Sequence, residues 1–164
     1  MFSVGSTVMY GDSGVCKIDD IRNEKFGDEE KSYYILKPLS NERLTIYCPV
    51  DCGPSRIREL LSAEEIKELI NIMPQTETEW IDNDQKRKEY YHSVIKSGDH
   101  IELVRLVKTL YNERERRVGT GRKFHAVDEK IMKEAESVLF GEIAHVLEIR
   151  QDEVVPYIMG EIAQ

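Results

Sequence analysis

The sequence predicts an α+β chain divided by domain: a small, highly bent antiparallel β-barrel over residues 1–55, then an all-α lobe over residues 56–164. Three observations predict it. Up to about residue 55 the chain alternates short runs rich in Val, Ile, Tyr and Thr with Gly-, Asp- and Ser-rich turns. Beyond that point the apolar residues recur at helical spacing behind recognisable caps. Cys52-Gly53-Pro54-Ser55 stands between the two textures as a boundary.

In the first lobe the predicted strands are Ser6 to Tyr10, Gly14 to Ile21, Ser32 to Lys37 and Arg43 to Cys48. In the last of these, Leu44, Ile46 and Cys48 fall on one face and Arg43, Thr45 and Tyr47 on the other, the alternation of a half-buried strand. Four or five strands in so short a stretch are too few for a sandwich, which leaves a small barrel as the economical solution.

In the second lobe, Ser62-Ala63-Glu64-Glu65 is a capping box leading into Ile66, Leu69 and Ile70, and Met73-Pro74 ends that helix. Asp82-Asn83-Asp84-Gln85 caps a second helix that runs through Tyr90, Tyr91, Val94 and Ile95 to Gly98. Asp99-His100-Ile101-Glu102 reads as another box, opening a helix with Val104, Val107, Leu110 and Tyr111 inward and Arg105, Thr109 and Arg116 outward. Val118-Gly119-Thr120-Gly121 stops it. A long helix from about Val127 to Ile149 has Val127, Ile131, Ala135, Val138, Leu139, Ile143 and Leu147 on its apolar side, and a final one starts near Asp152 with Pro156 in its first turn.

The net charge is −8, so the chain taken whole repels polyanions, and any nucleic-acid role requires a local patch. One exists: residues 86–123 carry a net +6, whereas the segments 1–55, 56–85 and 124–164 carry −3, −5 and −6. Two readings of the patch stand side by side. Its cations are either solvated helix faces paired locally with Glu113 and Glu115, or phosphate contacts. Trp80, the only tryptophan, precedes the basic run; it is either a hydrophobic staple on the following helix or an apolar wedge beside an electropositive surface.

No window has the length of a membrane span, and the first residues lack a signal-peptide layout, so the chain reads as cytosolic. Cys16, Cys48 and Cys52 are read as small buried hydrophobes rather than as metal ligands. The four histidines lack metal-ligand spacing and no nucleophile elbow or dinucleotide fingerprint is present; neither an enzyme nor a cofactor is expected.

Taken together, the residues resemble the CarD-like family of bacterial transcription regulators, which groups CarD, CdnL and the transcription-repair coupling factor. Phe2-Ser3-Val4-Gly5-Ser6-Thr7-Val8-Met9-Tyr10 with Gly14-Val15 is similar to that family's first hairpin. Lys31 to Lys37 and Leu44 to Pro49 match its later strands, and Ser97-Gly98-Asp99, the Val104 to Leu110 run and Leu139 to Ala144 match its helical lobe. The resemblance implies a Tudor-like, SH3-like barrel that docks on the β subunit of bacterial RNA polymerase, joined to a DNA-binding helical domain. It further implies stabilisation of the open promoter at the upstream edge of the bubble, with a tryptophan wedge in the minor groove, for which Trp80 is the candidate. Lys86, Arg87 and Lys88, with Arg122 and Lys123, are then the expected DNA contacts. Some members carry arginines on the docking strands where this chain has Glu24 and Tyr47; docking is therefore expected through Arg43, Thr45 and Tyr47. The rival reading is a protein-protein adaptor on the polymerase that does not touch DNA.

Overall fold

The computed structural model describes residues 2–52 and 56–163, so Gly53-Pro54-Ser55 of the expected boundary lie outside the described residues. The chain forms two compact units, one ending at Leu60 and the other beginning at Leu61.

The first unit is a five-stranded antiparallel sheet of β1 (Thr7–Tyr10), β2 (Gly14–Phe26), β3 (Glu29–Pro38), β4 (Ile46–Pro49) and β5 (Ile57–Arg58), in the order β4-β3-β2-β1-β5. Ile57 pairs with Tyr10 and Arg58 with Met9, so the sheet reaches past residue 55. Among the described residues β4 and β5 do not pair with each other, and the sheet is open rather than a closed barrel. Its core gathers Val8, Cys16, Ile18, Tyr34, Leu36, Cys48 and Ile57, with Phe2 and Tyr10 packed against them.

Two expectations in this unit are corrected. The stretch from Arg22 to Lys31, left between the predicted second and third strands, is not a loop. β2 and β3 extend to Phe26 and from Glu29, leaving a two-residue turn in which Gly27 takes the left-handed φ of 69° that such turns demand. The strand expected from Arg43 begins only at Ile46, because Asn41 turns the chain: its carbonyl accepts from the Leu44 amide at 3.1 Å, and its side chain accepts from the Arg43 amide. Leu44 is consequently exposed, while Cys48 inward and Tyr47 outward keep the alternation. Cys16 and Cys48 are buried as expected; Cys52 is exposed.

The second unit holds α1 (Ala63–Ile72), α2 (Asp84–Ser97), α3 (His100–Gly119), α4 (Ala126–Leu147) and α5 (Val154–Ile162). The Ser62/Glu65 capping box closes reciprocally at 3.1 Å in both directions. Asn83 caps α2 by accepting from the Lys86 amide, and Gly98 ends that helix with a left-handed φ of 69°. Asp99 caps α3 by accepting from the Glu102 amide, but the box does not close: the Glu102 carboxylate accepts from the Tyr90 hydroxyl instead, at 2.9 Å. Ile66, Leu69, Leu103, Leu106, Leu110, Ile131, Ala135, Leu139 and Ile143 form the core.

Two helix faces are turned from the expected ones. In α3, Tyr111 is exposed and Thr109 buried, which Thr109 tolerates by donating its hydroxyl proton to the Arg105 carbonyl at 2.7 Å. In α4, Val127 is exposed and Asp128 buried. Tyr91 is 2% exposed and its hydroxyl has no hydrogen-bond partner among the described residues; burial pushes its pKa up to about 12. Tyr91→Phe keeps the shape and removes an unmatched polar group, so it should raise the urea midpoint, by about 1 kcal/mol in stability. A fall in midpoint would mean that the hydroxyl has a partner.

Candidate nucleic-acid interface

The candidate site is built on the segment between α1 and α2. After the 3-10 turn Met73–Gln75, residues 76–83 form neither helix nor strand, so their shape depends on side chains that reach their backbone. Two cations do so. From α3, the Lys108 ammonium donates to the carbonyls of Met73, Pro74 and Thr76 at 2.9, 3.1 and 2.7 Å. From α2, Arg87 donates through one terminal nitrogen to the Ile81 carbonyl at 2.9 Å.

Arg87 departs from the expectation of a surface phosphate contact. It is 4% exposed, and its fork meets both carboxylate oxygens of Asp128, itself 1% exposed, at 3.0 and 3.1 Å. A further bond reaches Asp84 at 2.9 Å. Two charges taken out of water require this planar two-point match, and a phosphate reaching Arg87 would leave Asp128 buried and unpaired.

Trp80 lies on this guanidinium. The Arg87 Cζ is 4.3 Å from the indole centroid, and the Arg117 Cζ, from the last turn of α3, is 5.5 Å away. The ring is half-buried. The residue directly before the Asn83 cap is Asp82, and the indole meets the first turn of α2 through Arg87, with Arg117 as a second cation beside it. Arg117 donates in turn to Glu113, which also receives Arg116. The bonds from Arg116 and then Arg117 hold the Glu113 carboxyl below the ordinary glutamate range against the opposing effect of its burial.

A depressed carboxyl contributes stability that is present above the ordinary glutamate pKa and is lost as pH falls through the lowered folded value. Wild type should therefore exceed Glu113→Gln in urea midpoint at about pH 6, and the gap should close towards about pH 3. A gap independent of pH would show that Glu113 contributes by packing alone.

The loop after α3 folds back at this same end. The Arg117 carbonyl accepts from the amides of Thr120 and Arg122 at 3.1 and 2.8 Å, and Gly121 takes a φ of 74°. Residues 120–125 thus run from Arg117 to the first turn of α4, where Asp128 holds Arg87. The fold brings the start of α2, the end of α3 and the start of α4 together around Trp80, although Arg87 and Asp128 are 41 residues apart in sequence.

The basic patch divides into internal and outward charges. Arg87 and Lys108 are spent on the fold; Arg105 pairs with Glu102, Arg114 with Glu129, and Arg116 and Arg117 with Glu113. Lys86, Lys88, Arg122 and Lys123 are exposed and make no ion pair among the described residues. Asp128 and Lys108 have no role that the sequence alone suggests. Nothing local in sequence marks either, since their partners are 41 and 32–35 residues away.

In the sheet unit, Tyr47 is 42% exposed and packs edge-to-face with Phe26 and Tyr33 at centroid distances of 5.7 and 6.3 Å. Phe26, 53% exposed, meets Tyr33 at 5.2 Å. Thr45 precedes β4 and accepts from Lys37, while Arg43 lies exposed in the turn before it. The aromatic trio is absent from the sequence-based expectations although its signal is there: a Gly-Asp turn places Phe26 at the hairpin end.

Fold and site define an α+β protein of two units whose distinctive surface features are an exposed aromatic cluster and a cation-held indole amid outward lysines and arginines. The family model of the CarD-like/TRCF RID domain matches residues 2–61, and that of the CarD C-terminal domain matches residues 68–159. The chain belongs to the CarD-like family. CarD-like proteins are RNA polymerase-interacting transcription regulators, not enzymes. No helix among the described residues is long and apolar enough to cross a membrane.

Proposed function

We propose that the protein binds the β subunit of RNA polymerase through a Tudor-like sheet unit and contacts promoter DNA at the upstream edge of the bubble through the helical unit, so stabilising the open complex. The domains divide this work as 1–55 and 56–164 on the sequence pattern, with the compact unit of the sheet running on to Leu60. The observation that carries the reading is Trp80, half-buried on Arg87 and Arg117 at the end of the helical unit from which the loop bearing Arg122 and Lys123 departs. Trp80 is the wedge. Lys86, Lys88, Arg122 and Lys123 contact phosphate, and Arg87 supports the indole from within. On the sheet, Tyr47 with Phe26 and Tyr33 supplies the apolar centre of the polymerase contact, and Arg43 and Thr45 its polar margin.

A net charge of −8 fits this division of labour. The chain has little affinity for random DNA, and tethering to polymerase supplies the local concentration that brings the outward cations to bear. The reading is tested by the lifetime of competitor-challenged open complexes formed by the cognate polymerase with and without the protein. Longer lifetimes are expected. Unchanged lifetimes, with binding to polymerase confirmed in the same samples, would favour the adaptor that does not touch DNA.

The phosphate contacts make a separate prediction. Reversing Lys86 and Lys88 to Glu, or Arg122 and Lys123 to Glu, should weaken promoter binding within the complex and flatten its dependence on salt, by about one unit of log-log slope for each phosphate no longer neutralised. A slope identical to wild type would remove that pair from the interface.

A further inference from the structure

We propose that Asp128 is a positioning residue for Trp80, acting through Arg87, and that the same ion pair ties the indole to the basic loop of Arg122 and Lys123. The proposal rests on the reading of Trp80 as the wedge and goes beyond it by naming what sets the wedge.

A half-buried indole on a segment without helix or strand has no lattice of backbone bonds to fix its orientation. Here its orientation follows from a plane. The Arg87 guanidinium is flat, lies 4.3 Å from the ring centroid, and is locked in rotation because two of its nitrogens are matched to both oxygens of Asp128. Further bonds run to Asp84, which braces the same guanidinium, and to the Ile81 carbonyl, which fixes the backbone directly after Trp80. Asp128 thus sets the plane, and the plane sets both the ring and the chain that bears it.

The pair also couples two contact elements. Asp128 lies in the first turn of α4, immediately after the loop of residues 120–125; Arg117, on the far side of that loop, approaches the indole at 5.5 Å. Both ends of the loop are therefore joined to the Trp80 ring, one through Arg87 and one directly. Phosphates held by Arg122 and Lys123 would define where the indole stands, and the wedge and the grip form one rigid element rather than two independent contacts.

The test uses the full-length protein and exploits its single tryptophan, whose fluorescence reports this site alone. The variants are Asp128→Asn, which leaves Arg87 on the indole but breaks the charged two-point match that holds its plane, and the double replacement Arg87→Met with Asp128→Leu. The second keeps the volume apolar and so retains the fold. Both should red-shift the Trp80 emission and raise its acrylamide quenching under conditions where circular dichroism is native. Both should shorten open-complex lifetime, and neither should shorten it further when Trp80→Ala is already present. Native emission and quenching in both variants would overturn the proposal, as would lifetime losses that simply add to that of Trp80→Ala. If Trp80→Ala leaves the lifetime untouched, the wedge reading fails and quenching alone decides: raised quenching upholds the positioning by Asp128 and Arg87, and native quenching overturns it.

Discussion

Trp80→Ala is expected to shorten the lifetime of open complexes about tenfold while leaving the binding of the protein to polymerase unchanged, a differential of about 1.4 kcal/mol between open and closed promoter. The size follows from the cost of the step. Inserting an apolar side chain between bases costs a few kcal/mol of unstacking in an intact duplex, and far less where melting has already opened the stack. A wedge therefore binds the open state better than the closed one, and only that difference shifts the equilibrium. The substitution should leave the fold in place, because the ring is only half-buried and its two cation–π contacts are worth about 0.5–1 kcal/mol each. Measured by competitor challenge, an unchanged lifetime with polymerase binding intact would remove Trp80 from the mechanism and move the balance to the adaptor.

The candidate wedge is legible in the sequence, whereas its support is not. Trp80 announces itself as the single tryptophan ahead of a cap and a basic run, and Asn83, Asp99 and Ser62 cap their helices where local chemistry places them. Caps and turns are local, and sequence carries local information. Arg87 illustrates the converse: in the run Lys86-Arg87-Lys88 all three side chains read as cations facing water, because what distinguishes the middle one is a carboxylate 41 residues on. Asp128 is hidden for the same reason, with Val127 beside it offering a better apolar fit to the helical period. One ion pair thus displaces two expectations. The rotation of α3 has a similar origin: Thr109 passes as outward on polarity alone, yet a hydroxyl that bonds its own helix at Arg105 enters a core at little cost. The sheet is legible in its number of strands and in the Tyr47/Cys48 alternation. Its openness, and the length of the β2–β3 hairpin, depend on pairing that no single strand encodes.

Asp128→Ala is expected to destabilise the helical unit strongly. Removing one partner from a buried pair leaves the other charge desolvated, a loss of about 3–5 kcal/mol. Arg87 would retain its bonds to Asp84 and to the Ile81 carbonyl, which places the expected loss at the lower end, about 3 kcal/mol. For a unit of this size each kcal/mol lowers the melting midpoint by about 4–8 °C, so the transition followed by Trp80 emission should fall by more than about 10 °C. Because Trp80 lies in the unit beginning at Leu61, its emission reports the helical unit, and the transition should not be read as one two-state unfolding of the whole chain. The double replacement Arg87→Met with Asp128→Leu should recover most of the loss, since it removes both charges and returns apolar volume. If the single and double variants melt alike, burial of unpaired charge is not the cause, and packing around position 128 is. A loss under about 1 kcal/mol for Asp128→Ala would instead place the pair in the class of solvent-screened surface bridges. The expected loss rests on a guanidinium 4% exposed and a carboxylate 1% exposed, joined by two bonds of 3.0 and 3.1 Å.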